Sequence, residues 1–313
     1  MANQIALWSV APSRAAGELI ATQVSLGEGV SVSYGGQRVI HIVLNGEQYL
    51  AAYDAQSGQL SISHFSLQHP LLKELPGKPK LGMAKDIVES FVLGNRPHIL
   101  AYTARDGVFE LRSVGNDLSV SHPYQFVRNH APGITKGFTT IKPFTSQGIV
   151  SFLGYNGAEG PVGFYTLSAI ASSPPGTPPL LLKNVWAHEW AKGWTRFAMF
   201  QFGGGNFFLK TNTWRPNVNI DHIFDNPADG TCEIASHLEL KGAQEHTIVE
   251  PFTLEQGEPY FLTYKNDGQT TLNKFYADCT GWTELASFTA PADASGIIPL
   301  SARDRSKIYL LFY

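Results

Sequence analysis

Apolar and polar positions alternate along the chain in short runs that stop at Gly, Asp or Asn, the pattern of strands separated by tight turns. The runs come in pairs. VESF, ending at Phe91, precedes HILAY, ending at Tyr102; VEPF, ending at Phe252, precedes YFLTY, ending at Tyr264. Looser copies are IHI to Ile42 with YLAAY to Tyr53, IKPF to Phe144 with SFLGY to Tyr155, FAMF to Phe200 with FFLKT to Thr211, and IIPL to Leu300 with IYLLFY to Tyr313. The first-strand anchors Ile42, Phe91, Phe144, Phe200, Phe252 and Leu300 are separated by 49, 53, 56, 52 and 48 residues. A recurrence at this scale signals a repeat architecture, and each unit has the length of a four-stranded propeller blade.

Each unit continues in the same sense. After the second strand comes a turn such as DAQSG, ARDG, YNGAEG or KNDG, whose residues tolerate positive φ. A third strand follows (QLSISHF, VFELRSV, VGFYTL, VNIDHIF, TTLNKFY), then a fourth (LLKEL, SHPYQF, PPLLLKNVW, CEIASHLEL, WTELASF). Residues 233–250 also admit a helical reading, but the period favours two strands joined at Lys241-Gly242. The last unit stops after its second strand, and QIALWSV with GELIATQVSL near the N-terminus supplies a third and a fourth. The expected fold is therefore all-β: a single domain over residues 1–313, a six-bladed β-propeller whose closing blade is shared by the two terminal segments. Seven blades, or a barrel or sandwich, are the alternatives. The proline-rich stretch 172–179 reads as a peripheral loop, because proline cannot donate to a ladder.

Composition narrows the function. Apolar residues are 43% and charged residues 16% of 313, with 19 Phe, 12 Tyr and 6 Trp, which excludes disorder and coiled coil. A net charge of −3 offers no cationic field for a phosphate backbone, so nucleic acid is not an expected partner. No apolar run is long enough for a spanning helix, and MANQIALWSV lacks the features of a signal peptide. The expectation is a cytoplasmic protein, or one released by a non-classical route. Cys232 and Cys279 read as two separate reduced thiols. Oligomeric state is not legible.

First strands line the channel of a propeller, so their residues are the first place to seek chemistry. Two before each anchor stand Ile40, Glu89, Lys142, Ala198, Glu250 and Ile298; one before stand His41, Ser90, Pro143, Met199, Pro251 and Pro299. Glu89 and Glu250 are candidate acid/base carboxylates, with Lys142 tuning one of them and His41 a possible further base. The plain alternative is a set of charges that hydrate or neutralise one another. A second concentration is aromatic: Trp186, Trp190 and Trp194 in WAHEWAKGWT, followed by Arg196; Trp214 beside Arg215 in TNTWRPN; and Trp282 in a second Gly-Trp-Thr. Trp190, Arg196, Trp214, Arg215 and His222 are candidate ligand-binding residues, since indole faces stack on flat apolar surfaces and Arg binds hydroxyls. Core packing competes with that reading, above all for Trp194 and Trp282. His64, His122 and His222 lie too far apart to imply a metal, and no cofactor is implied. There is no G-x-S-x-G elbow, H-E-x-x-H helix or phosphate loop, and Gly203-Gly204-Gly205 sits where a hairpin is expected.

In the units WTRFAMFQFGGGNFFLKTNTWRPNVNIDHI and HTIVEPFTLEQGEPYFLTYKNDGQTTLNKFY, and in its length and six divisions, the chain resembles six-bladed sugar-binding propeller lectins. That resemblance implies carbohydrate binding in pockets between blades through Trp, Arg and Glu, and no lectin motif is matched position by position. The leading expectation is thus a lectin-like binding protein for a carbohydrate or other small molecule. The alternatives are an enzyme (hydrolase, lyase, isomerase or cyclase) working through carboxylates at the channel, and a scaffold for protein partners.

Overall fold

A computed structural model describes the chain except residues 1–4, 14–17, 27–33, 35–36, 69–70, 125–135, 147, 170–179, 213–216, 227–230, 240–247, 255–257, 277–279 and 302–306. The Trp214-Arg215 pair, Cys279 and the proline-rich stretch fall outside the described residues. So does the Lys241-Gly242 junction. Cys232 lies on a described strand, but its side chain is outside them. Among the described residues there is no helix.

The strands group as the period requires. Blade 1 is β3 (Arg38–Leu44), β4 (Glu47–Asp54), β5 (Gln59–Phe65) and β6 (Leu72–Glu74). Blade 2 is β7 (Ile87–Leu93), β8 (Arg96–Thr103) and β9 (Val108–Ser113). Blade 3 is β10 (Thr140–Ser146), β11 (Ile149–Tyr155), β12 (Pro161–Ala169) and β13 (Leu180–Glu189). Blade 4 is β14 (Trp194–Phe202), β15 (Gly205–Asn212), β16 (Asn217–Asn226) and β17 (Thr231–Glu239). Blade 5 is β18 (Ile248–Thr253), β19 (Pro259–Tyr264), β20 (Gln269–Phe275) and β21 (Trp282–Thr289). The closing blade runs β22 (Ile297–Ser301), β23 (Ile308–Phe312), β1 (Ala6–Pro12) and β2 (Leu19–Val24), so both terminal segments share one sheet. Every pairing is antiparallel. In blade 2 the expected fourth strand SHPYQF falls partly outside the described residues; its start is tied to β9 through the Val114–Val120 bridge and a bond from Tyr124 N–H to Leu111 C=O.

The core is divided among the blade interfaces. Six apolar clusters fill the six contacts between neighbouring sheets, because each sheet has two faces and must bury both. Second strands are buried along nearly their whole length: PYFLTY of β19 is buried at every position. Inner strands have a neighbour on one side only, and the free edge tolerates Pro143, Pro251 and Pro299.

Tyrosine at the end of the second strand ties blade to blade. Tyr53 Oη donates to Gly82 C=O (2.8 Å) and accepts from Lys85 N–H (2.9 Å), both in the loop that leads into blade 2. Tyr102 accepts from Phe138 N–H, Tyr155 donates to Ala191 C=O, and Tyr264 joins Pro291 C=O and Ala294 N–H. These four rings are essentially sealed from solvent. The hairpin turns pack against the same loops. Gly268, at φ +92°, has no room for a Cβ, which would lie 2.2 Å from Ala290 C=O.

Candidate active site

The first halves of the inner strands enclose a cavity of about 670 Å³ at one end of the channel. Register puts Ile40, Glu89, Lys142, Ala198, Glu250 and Ile298 in one layer, opposite Ala51, Leu100, Leu153, Leu209, Leu262 and Leu311 of the second strands. Three positions of this layer are charged and three apolar. Glu89 and Lys142 stand on adjacent blades, and Lys142 Nζ donates to Glu89 Oε1 at 2.5 Å. Glu250 stands three blades from Glu89, on the opposite side of the ring. Ala198, between Lys142 and Glu250, leaves the space a longer side chain would fill.

Arg196, two residues before Ala198 on β14, lines the same cavity. Its register is broken by a bulge: Trp194 faces Asn212, Arg196 faces Thr211, and Thr195 is the extra residue. Bulges re-aim side chains at rims, and here Trp194 turns into the interface core while Thr195 and Arg196 line the cavity. Arg196 Nη2 donates to Ser295 C=O at 3.2 Å, which anchors one side of the guanidinium. Arg38 lines the mouth from blade 1, three blades round from Arg196.

The electrostatics set Glu250 apart. Desolvation pushes the Glu250 carboxyl up to about 7; Lys142 and Arg196 pull it down, and Glu89 adds to the rise. Burial opposes the charge on Lys142, but Glu89 at contact distance, with Glu250 behind it, more than offsets this and raises its pKa. Glu89 is therefore engaged as the counter-ion of Lys142, while Glu250 titrates near neutrality. His41 also borders the cavity, but burial pushes its pKa down to about 4, and its Nε2 is buried without a hydrogen-bond partner.

Glu89, Glu250, Lys142 and His41 are thus brought to one cavity together with Arg196. Of the other proposed binding residues, Trp190 and His222 lie elsewhere, and Trp214 and Arg215 fall outside the described residues. Trp190 is packed in the core between blades 3 and 4, stacked on Phe197 and Phe208 (centroids 6.2 and 5.7 Å), with Lys210 Nζ 4.2 Å from its ring centroid. His222 lies between Phe207 and Phe224 on the third strand of blade 4, away from the channel. Two residues escaped the sequence reading. Arg38 lies two before Ile40 and shares its face, a signal available from the period. Tyr313 ends the sixth second strand and was legible only as another copy of the blade-to-blade tyrosine; here it lines the cavity. Among the described residues, no group of His, Cys, Asp and Glu is placed to hold a metal ion, and no helix is long and apolar enough to cross a membrane.

No family model and no curated protein matches the chain. Solved structures do. A Bacteroides fragilis protein described as a "putative 6-phosphogluconolactonase" superposes with a TM-score of 0.54 at 13% identity, covering 98% of this chain and 87% of that one. A Bacteroides uniformis protein of the same description gives 0.51 at 10% identity, over 95% of this chain and 86% of that one. An α-L-arabinofuranosidase of Clostridium thermocellum gives 0.50 at 12% identity, over 81% and 94%. At such identities the likeness establishes the propeller fold. The lectin-like expectation is corrected on two grounds. Trp190, one of the two tryptophans proposed to stack on a sugar, packs against the core between blades 3 and 4, and Arg196 faces the channel instead of a cleft between blades. The two Bacteroides structures, which share the architecture over nearly the whole chain, carry the descriptions of enzymes, not of lectins. The inner strands of one β-propeller thus converge a lysine, an arginine and two carboxylates on a single cavity at the channel mouth.

Proposed function

We propose that the protein is a hydrolase acting on a small cyclic or open ester, a lactone being the first class to test, with Glu250 as general base in the channel. The carrying observation is the arrangement around Glu250: a carboxylate that titrates near neutrality, flanked by Lys142 and Arg196, inside the channel cavity. A base is most effective when its pKa lies near the working pH. In the reaction, the Glu250 carboxylate takes a proton from water as the water oxygen bonds to the ester carbonyl carbon. The carbonyl oxygen gains negative charge, which Arg196 and Lys142 stabilise. The carbon–oxygen bond of the ester then breaks, and the protonated Glu250 returns its proton to the departing alkoxide. Carboxylic acid and alcohol result, and Glu250 is regenerated.

Glycoside hydrolysis, the other chemistry open to a carboxylate pair, needs two independent carboxyl groups across the bond. Glu89 is held by Lys142, which favours the single-base reading. The lactonase descriptions of the two Bacteroides proteins support the choice of substrate class.

The test is acid release from a panel of lactones and simple esters, with and without a phosphate substituent, followed in a pH-stat. Glu250→Gln should lower turnover at least ~10²-fold while the protein stays folded. Wild-type protein inert toward the panel, or a Glu250→Gln variant with undiminished turnover, would sink the assignment.

A further inference from the structure

Five of the six blades end their second strand so that a side chain reaches loop backbone, and the closing blade does not. Tyr53, Tyr102, Tyr155 and Tyr264 cross to the loop that leads into the following blade, and Asn212 bonds Lys192 C=O. Tyr313 holds the same place in the ladder, with its N–H on Gly296 C=O. Its ring turns the other way. It lies over Gly296, where a Cβ would stand 2.3 Å from both Cζ and Oη, and it lines the channel cavity. The partner at this register explains the turn. The first strand offers Arg38, Ile87, Thr140, Trp194 or Ile248 in the other blades, and Gly296 alone leaves a slot for a ring. Among the described residues no group takes a hydrogen bond from the Tyr313 hydroxyl, and its one ring contact is the edge of Tyr34 at 5.9 Å.

We propose that Tyr313 is a second catalytic group of the channel, donating a hydrogen bond from its phenol to the carbonyl oxygen of the ester that Glu250 hydrates. The proposal rests on the hydrolase reading above. The phenol shares the cavity and the electrostatic field of Glu250, Arg196 and Glu89, and burial holds its pKa up at about 12, so it remains a donor at any working pH. No bond to its hydrogen breaks. The phenol accommodates the charge that builds on the carbonyl oxygen and is unchanged when that charge collapses.

Three variants decide the matter. Tyr313→Phe should lower kcat about 10²-fold with KM within a few-fold, and leave Tm nearly unchanged. Gly296→Ala, which drives the ring out of its slot, should reproduce the loss of kcat and add little to it in the double variant. Tyr264→Phe, which loses a blade-to-blade tie, should lower Tm and leave kcat alone. The donor role is overturned if Tyr313→Phe keeps its kcat, or if it loses Tm as Tyr264→Phe does without a change in turnover. A wild type inert toward every ester removes the hydrolase reading and the donor role together. Turnover with an unimpaired Tyr313→Phe removes only the latter.

Discussion

At the scale of single residues, the channel stores a cost that its chemistry requires. The Glu250 carboxyl has an ordinary pKa of 4.5 and one near 7 in the folded chain. The folded state thus binds a proton more tightly than the unfolded one. The associated stability is whole below about pH 4.5, falls as pH rises, and is gone above about 7. Glutamine keeps the shape without the charge. Glu250→Gln should therefore be more stable than wild type at pH 8, by on the order of 2 kcal/mol, and equal to it near pH 4.5. Calorimetry at the two pH values checks the sign. Under the proposed hydrolysis the rate carries the mirror image: the base form is the active one, so kcat/KM of the wild type should climb through a midpoint near 7. A second buried pair shows the contrast. Lys210 and Asp221, 7% and 1% exposed, face each other across β15 and β16, with the ammonium under Trp190 and Trp194. Burial pushes the lysine pKa down and the aspartate pKa up, so each charge persists by virtue of the other. Lys210→Met should cost about 3–5 kcal/mol, and adding Asp221→Leu should recover much of it, as denaturant titration would show.

At the scale of elements, the repeat was legible because second strands are buried along nearly their whole length and four of the six end in a tyrosine that ties blade to blade. Phe91 and Phe252, or Tyr102 and Tyr264, answer to the same packing in blades far apart in sequence, so the period survives divergence. The inner-strand charges were legible for the related reason that an inner strand can point only toward a neighbouring blade or the channel. Trp190 was harder to place because tryptophan carries no label for core or surface: next to charged residues in WAHEWAKGW it reads as exposed, yet it stacks on Phe197 and Phe208 with the Lys210 ammonium near its ring. Tyr313 was hidden by the opposite effect, a cavity-lining side chain in a structural position, and the absence of a side chain at Gly296 was the only local clue. The ties themselves are testable. Tyr53→Phe removes bonds to Gly82 C=O and Lys85 N–H and leaves those groups in a nearly dry interface. A loss of about 1–3 kcal/mol is expected, read as a shift in urea midpoint with an unchanged slope.

At the scale of the whole molecule, a cavity built from all six inner strands exists only while the ring is closed. Closure rests on β1, which sits between β23 and β2 and joins the two terminal segments through the ladder from Ala6–Phe312 to Val10–Ile308. Its residues Ala6 and Val10, with Leu19 of β2, pack toward blade 5, and Leu7 packs toward blade 1. Four apolar side chains withdrawn from water contribute roughly 6 kcal/mol or more, comparable with the whole stability of an ordinary domain. A chain cut after Val24 would expose those two interfaces and the edge of β23, which carries Tyr313 at its end. The expected outcome is loss of the cooperative thermal transition and of turnover together, since Gly296, Ile298 and Tyr313 line the cavity from the blade left incomplete. Addition of a peptide spanning residues 5–24 should restore both in proportion to its occupancy, because it supplies the missing strands without a covalent link. A truncated chain that keeps the wild-type Tm would show that the ring does not depend on its closing blade. Recovery of Tm by the peptide without recovery of turnover would place the chemistry elsewhere than in the channel.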